Sequence, residues 1–302
     1  MKVAVTGSSG LIGTALVANL QADGHEVVRL VRRPPRGADE IRWDPRAADA
    51  GDPVLDGVEA CVHLAGAGVG DHRWTAAYKA EIRASRVLAT RALAAALAAA
   101  KPVPKVLLAA SAIGWYGDTA GREVAEDAPA GKGFLSRVVL DWEAAAAPAA
   151  DAGIRVAHMR SGLVLSGRGG VLARLALPAK FGLLPRFGDG SQVMSWISLT
   201  DEIRAIRFLL ESDTEAGPYN LTAPNPVPDS ELTAALHHAF RRPDFGWLRV
   251  PAPVLRLALG EMSSELLTSA RVLPKRLLAA GFTFEYPTIG SALAVEVTTP
   301  AA

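Results

Sequence analysis

Three glycines spaced three apart, Gly7, Gly10 and Gly13, follow the apolar run Val3-Ala4-Val5 near the start of this chain. That arrangement suits the binding of a diphosphate. Gly7 turns the chain sharply off a strand, Gly10 lets the backbone approach the phosphates, and Gly13 lets the next helix pack closely on the sheet. Ser8, Ser9, Leu11 and Ile12 complete the loop, and the first helical amides, with the positive end of the helix dipole, face the anion. The competing reading is an ordinary tight turn between strand and helix. Two features favour the phosphate. The run Gly24-His25-Glu26-Val27-Val28-Arg29-Leu30-Val31 reads as a second strand, which closes a strand-helix-strand unit of about 30 residues. It ends in Arg32 and Arg33, where a chain that binds NAD places a carboxylate for the ribose 2′-hydroxyl. A guanidinium there offers a fork of donors to a 2′-phosphate, so NADP(H) is the expected cofactor. The alternative is a solvated charge pair in a loop.

A second group able to do chemistry is Ser111-Ala112-Ile113-Gly114-Trp115-Tyr116-Gly117. A serine at the carboxyl end of a strand can polarise a carbonyl, and a tyrosine can give its oxygen a proton. The competing readings are that Ser111 caps the strand end and that Tyr116 packs or orients a substrate. No G-x-S-x-G elbow follows a strand, and His237 and His238 project about 100° apart on a helix, so no metal site is indicated.

These residues need strands and helices to hold them. The run Cys61-Val62-His63-Leu64-Ala65-Gly66 reads as a third strand running into a loop, with His63 in the core. A helix is expected over 75–100, a strand over 103–110, a helix over 135–152 and a strand over 154–160. Strict alternation predicts an α/β fold, a Rossmann-type doubly wound parallel sheet whose strand ends carry the site. The connection over 34–57 is rich in Pro, Gly and Asp, with Ile41-Arg42-Trp43 as a short edge strand. Beyond Ser166 the rhythm breaks into glycine-punctuated segments. The expected division is a nucleotide-binding domain over 1–165, to which 198–222 return, a substrate lobe over 166–197 and 223–249, and a C-terminal helical cap over 250–297.

The composition narrows the partners. A net charge of +1, with only 21% charged residues of mixed sign, leaves no basic stripe for nucleic acid or anionic lipid. No apolar run reaches the ~18 residues that span a bilayer, and no export signal is visible. One cysteine, Cys61, allows no internal disulfide. The expectation is a cytoplasmic protein with a small-molecule substrate, with pairing into a homodimer left open.

The residues together resemble the extended short-chain dehydrogenase/reductases, in particular an uncharacterised NAD(P)-dependent epimerase-like family with an appended C-terminal domain of unknown function. The resemblance covers nearly the whole chain. It is carried by 5–13, Leu64-Ala65-Gly66, Arg73-Trp74, Ser85-Arg86, 111–117, Arg160-Ser161-Gly162-Leu163-Val164-Leu165, Gln192-Val193-Met194-Ser195-Trp196-Ile197 and Pro274-Lys275-Arg276-Leu277. It implies cofactor contacts at Gly7 to Gly13, Arg32, Leu64, Ala65, Glu81, Arg86 and near Val164. Glu81 and Arg86 also read as a solvated helix face. Gln192, Ser195 and Trp196 are candidate substrate contacts, or residues packing the cap on the sheet. The family's Tyr-x-x-x-Lys acid is missing: with Trp142-Glu143 set at the end of its helix, Leu135 and Val139 stand at the two positions. Two functions follow. One is an NADP(H)-dependent oxidoreductase or epimerase acting on a small carbonyl or nucleotide-sugar-like substrate, with Ser111 and Tyr116 sharing the chemistry. The other is a non-catalytic NADP(H)-binding sensor. Ser111 and the cap favour the first.

Overall fold

The computed structural model describes residues 1–47 and 53–297; the middle of the 34–57 connection lies outside them. Seven strands form one sheet: β1 (Lys2–Thr6), β2 (Glu26–Val31), β3 (Glu40–Arg42), β4 (Ala60–His63), β5 (Val106–Ala112), β6 (Arg155–Ser161) and β7 (Gly217–Leu221). Their order is β7-β6-β5-β4-β1-β2-β3, and every neighbouring pair is parallel. The order reverses between β1 and β4, the switch point outside which such sheets bind ligands.

Both faces of the sheet are covered, so its strands are apolar almost throughout. Val3, Val5, Val62 and Leu108 face α1 (Leu11–Ala22) and α6 (Leu199–Glu211), while Ala4, Cys61, Leu107 and Val156 face α2 (Ala76–Ala99) and α4 (Ala147–Asp151). Helix α6 carries Ile203, Ile206, Leu209 and Leu210 into the core, each contributing roughly 1.5 to 3 kcal/mol on burial. The helix expected over 135–152 is two helices, α3 (Phe134–Ala144) and α4. Pro148 explains the break, because it lacks an N–H and its ring collides with the carbonyl four residues back.

The second half wraps the carboxyl ends of β5 to β7. It holds α5 (Gly170–Lys180), α7 (Asp229–Ala239), α8 (Ala252–Leu259), α9 (Ser263–Leu267), α10 (Lys275–Ala279) and α11 (Ile289–Glu296). A separate core of Leu165, Leu172, Trp196, Leu232, Leu236 and Leu293 joins these pieces. The C-terminal segment also adds a short strand, Arg271–Val272, beside Glu123–Val124.

Candidate functional site

The nucleotide end is built around Gly7, whose φ of +67° suits glycine. A Cβ there would lie 2.7 Å from the Leu64 carbonyl and 2.9 Å from the Ala65 nitrogen. A Cβ on Gly13 would lie 2.2 Å from the Gly7 oxygen and 2.8 Å from the Ser8 Cα. The loop and the end of β4 are therefore in backbone contact. Thr6 Oγ1 accepts from the amides of Leu64 and Ala65 at 3.2 and 3.3 Å, and pairs with His63 Nδ1 at 2.6 Å. Burial holds His63 down at about 4, so its ring is a neutral link from Thr6 to Thr90. Ser9 and Gly10 sit at the exposed rim, Leu11 and Ile12 are half-buried, and no side chain caps α1. Its first amides are free for an anion.

The two arginines after β2 differ in state. Arg33 makes two 2.7 Å bonds to Glu40, whose carboxyl it holds down at about 2, and Arg29 pairs with Asp39 and Glu40. These four charges cancel. Arg32 is exposed and has no partner among the described residues. Glu81 pairs with Arg46 near the surface. Arg86 donates to the carbonyls of Ala67 and Ile82 and stacks over Trp142 at 5.0 Å. It has no carboxylate partner among the described residues, and burial lowers its pKa. A Cβ on Gly66 would touch its guanidinium at 3.4 Å. Val164 lies in a short strand paired with Trp196–Ser198, and Gly169 and Gly170 just beyond it pack on Leu11.

Beyond the nucleotide end lies a cavity of about 330 Å³, walled by α3, the ends of β5 and β6, and the C-terminal segment. Its walls include Ile113, Leu135, Val138, Val139, Leu163 and Met194. Arg86, Ser111, Ser161, Ser195, Thr268 and Glu265 supply its polar side chains.

Beneath it runs a buried network set on one row of the sheet, in which Ser111, Arg160 and Asn220 are register neighbours on β5, β6 and β7. Ser111 donates to Glu143 at 2.6 Å, and Arg160 grips the same carboxylate through two 2.8 Å bonds. Arg160 also donates to the Tyr116 hydroxyl at 3.0 Å, which donates on to Asn220 at 2.8 Å. Ser161, one residue along, faces the other way and donates to Glu202 at 2.6 Å. Glu202 is 1% exposed, its second oxygen has no partner among the described residues, and burial pushes its carboxyl up to about 8.

This geometry revises three expectations. Tyr116 is 4% exposed and stands off the cavity wall; its hydroxyl is saturated by Arg160 and Asn220, and burial pushes its pKa up against the pull of Arg160. It braces the sheet ends and does not face the cavity. Trp196 is fully buried in the lobe core, with its indole N–H on the Asn225 carbonyl. Gln192 and Ser195 spend their polar atoms on the C-terminal backbone: Gln192 donates to the Leu266 carbonyl, and Ser195 bonds Ala270 and Val272. Ser195 still borders the cavity, while Gln192 lines an adjoining cleft. Ser111 lines the cavity, with its proton committed to Glu143.

Glu143 and Ser161 stand inside motifs read from the sequence but without a role there, and Glu202 and Glu265 carry no motif that spacing reveals. Glu202 reads in sequence as one more acid in a helix's first turn.

Residues 3–222 match the NAD dependent epimerase/dehydratase family, and residues 250–295 match a domain of unknown function, DUF1731. An epimerase family protein of Mycobacterium leprae is 44% identical over 299 residues, spanning 99% of this chain and 96% of that protein. The human epimerase family protein SDR39U1, crystallised with NADPH, superposes with a TM-score of 0.91 at 33% identity, over 98% of this chain and 99% of that one. A nucleoside-diphosphate sugar epimerase from Corynebacterium glutamicum gives 0.82 at 37% identity, over 98% of this chain and 58% of that one.

Proposed function

Since the chain belongs to the NAD dependent epimerase/dehydratase family, we propose that it is an NADP(H)-dependent oxidoreductase or epimerase acting on a small carbonyl or nucleotide-sugar-like substrate. The observation that carries this reading is the corner at Gly7 to Gly13, where added Cβ atoms would strike backbone and an uncapped helix opens onto the switch point. A diphosphate fits that corner. Ser8, Ser9, Leu11 and Ile12 would frame it, and Leu64, Ala65 and Gly66 would form its opposite wall. Arg32, the uncompensated cation after β2, would take the 2′-phosphate, with Arg33 and Glu40 bracing the loop beside it. Arg86 and Val164 would border the nicotinamide half. The human relative solved with NADPH supports the same cofactor.

When bound, NADP(H) supplies or accepts a hydride at the substrate carbon. The chain's own part is to orient substrate against Ser111 and exclude water with the apolar walls of the cavity. The place of action we propose is the cytoplasm, resting on one buried free thiol, Cys61, which desolvation pushes up to about 12. Among the described residues no helix is long and apolar enough to cross a membrane.

Fluorescence titration tests the cofactor. NADPH binds more tightly than NADH, and Arg32→Ala weakens NADPH about tenfold or more, since a charge-assisted contact contributes roughly 1.5 to 3 kcal/mol. NADH affinity barely moves. Equal affinities for the two cofactors in the unmutated protein would sink the assignment. A non-catalytic sensor is the second reading, favoured by Leu135 and Val139 in place of an acid and its lysine. Tight NADPH binding without turnover of any carbonyl would select it.

A further inference from the structure

The cavity lacks the family's tyrosine, yet an acid reaches it from elsewhere. Glu265, on α9 in the C-terminal segment, is the one carboxylate on its wall. Among the described residues Glu265 has no hydrogen-bond or ion partner, whereas Glu143 is tied to Arg160 and Glu261 to Lys79. Side-chain contacts hold the backbone around it on both flanks. Lys79 of α2 clamps Glu261 at 2.8 Å, Gln192 binds the Leu266 carbonyl at 3.2 Å, and the Ser269 hydroxyl holds the Val193 amide at 3.0 Å. An unpaired carboxyl carried on a pinned backbone into an apolar chamber is costly to ionise. Burial accordingly pushes its pKa up.

The chamber also limits the substrate. Its one basic group, Arg86, already donates to two backbone carbonyls. The adjoining cleft carries Asp118 and Asp189 against Arg249. A diphosphate would meet little compensating charge in either place, and a small uncharged molecule meets none that repels it.

We propose that Glu265 is the proton donor to the substrate oxygen, and that the substrate is a small, uncharged, largely apolar aldehyde or ketone. The proposal rests on the NADP(H) reading above. In the reducing direction the carbonyl carbon gains a hydride from the reduced nicotinamide and the π pair moves to oxygen. That oxygen takes the Glu265 proton, leaving an alcohol, oxidised cofactor and a carboxylate that water reprotonates. The oxidation reverses each step. The C-terminal domain thereby acquires a role: it closes the cavity and brings the acid that α3 lacks.

Two measurements on the full chain test this. Dicyclohexylcarbodiimide, which modifies protonated carboxyls in apolar surroundings, labels Glu265 ahead of the surface glutamates at neutral pH, read by peptide mass spectrometry without any turnover. NADPH oxidation is then followed with benzaldehyde, 4-nitrobenzaldehyde, cyclohexanone and UDP-4-keto-6-deoxyglucose, a nucleotide sugar that carries a ketone. Glu265→Gln lowers kcat for the neutral carbonyls by about 10²-fold or more, with NADPH affinity within twofold of the parent, and Glu265→Asp keeps part of the rate. An unlabelled Glu265, wild-type turnover in Glu265→Gln, or faster turnover of UDP-4-keto-6-deoxyglucose than of the neutral carbonyls overturns the proposal. Failure of the unmutated chain to bind NADPH overturns instead the reading beneath it.

Discussion

The glycine corner and the cavity lie next to each other at the same sheet ends, yet they are made in opposite ways. The corner is one continuous stretch, Thr6 to Gly13, closed against Leu64 and Ala65 by backbone contacts shorter than any side chain could tolerate. The cavity is gathered from residues as far apart as Val69 and Ala270, and it is lined by side chains. Backbone contact demands one residue type at each position. Side-chain contact can be met in many ways, and here α3 presents the apolar Leu135 and Val139. A site made of backbone therefore keeps its pattern, and a site made of side chains can change its chemistry while keeping its shape.

The largest expected loss of cofactor affinity strikes the corner. Gly13→Val places a branched side chain where even a Cβ lies 2.2 Å from the Gly7 oxygen and 2.8 Å from the Ser8 Cα. Neither atom can swing aside, because both belong to the loop. Overpacking of this kind costs about 1 to 3 kcal/mol or more, and it displaces the phosphate-facing amides. The expected outcome is a lowered thermal midpoint and NADPH binding weakened at least 100-fold. A variant with parental midpoint and affinity would show that the corner is not closed by backbone at all.

This division also explains what could be read in advance. The parallel sheet and the glycine corner at its first strand follow from local patterns: apolar runs of strand length and glycines at fixed spacing. His63 as core was equally readable, since it sits within a buried strand. Tyr116 misled because sequence shows which loop a residue is in, not which way its ring turns. Arg160 and Asn220, register neighbours from strands 60 residues apart in sequence, draw its hydroxyl under the sheet ends. Trp196 looked like a substrate contact for the same reason. Glu265 lay hidden because only the folded C-terminal segment brings it over α3.

A middle-sized effect separates support from chemistry in the cavity floor. Arg160 and Glu143 form a pair with side chains 2% and 11% exposed. Arg160→Met leaves that carboxylate facing Ser111 without its counter-charge, and breaking a buried pair costs about 3 to 5 kcal/mol. Arg160→Met with Glu143→Leu removes both charges and recovers most of the loss. Chemical denaturation of the two variants checks this. A double variant no more stable than the single one would mean that Tyr116 and Trp115, which Arg160 also contacts, need the guanidinium more than Glu143 does.

The smallest effect appears only with pH, and only on the cavity side, since the corner from Gly7 to Gly13 holds no ionisable side chain. Glu202 moves from an ordinary 4.5 to about 8 on folding, so between these values the folded chain holds a proton that the unfolded chain releases. Its favourable contribution is complete below pH 4.5 and is lost as pH rises toward 8. Glu202→Gln keeps an amide oxygen to accept from Ser161 and removes the titration. The variant should therefore match the parent near pH 5 and gain on it steadily to pH 8, reaching on the order of a few kcal/mol. Asp229, pushed up to about 6, and His63, held at about 4, shift stability with pH as well. They are present in both proteins and cancel in the difference. Paired thermal midpoints across that range give the measurement, and a difference that stays flat from pH 5 to 8 would mean that Glu202 keeps its charge behind Ser161, with water or a neighbour satisfying the second oxygen.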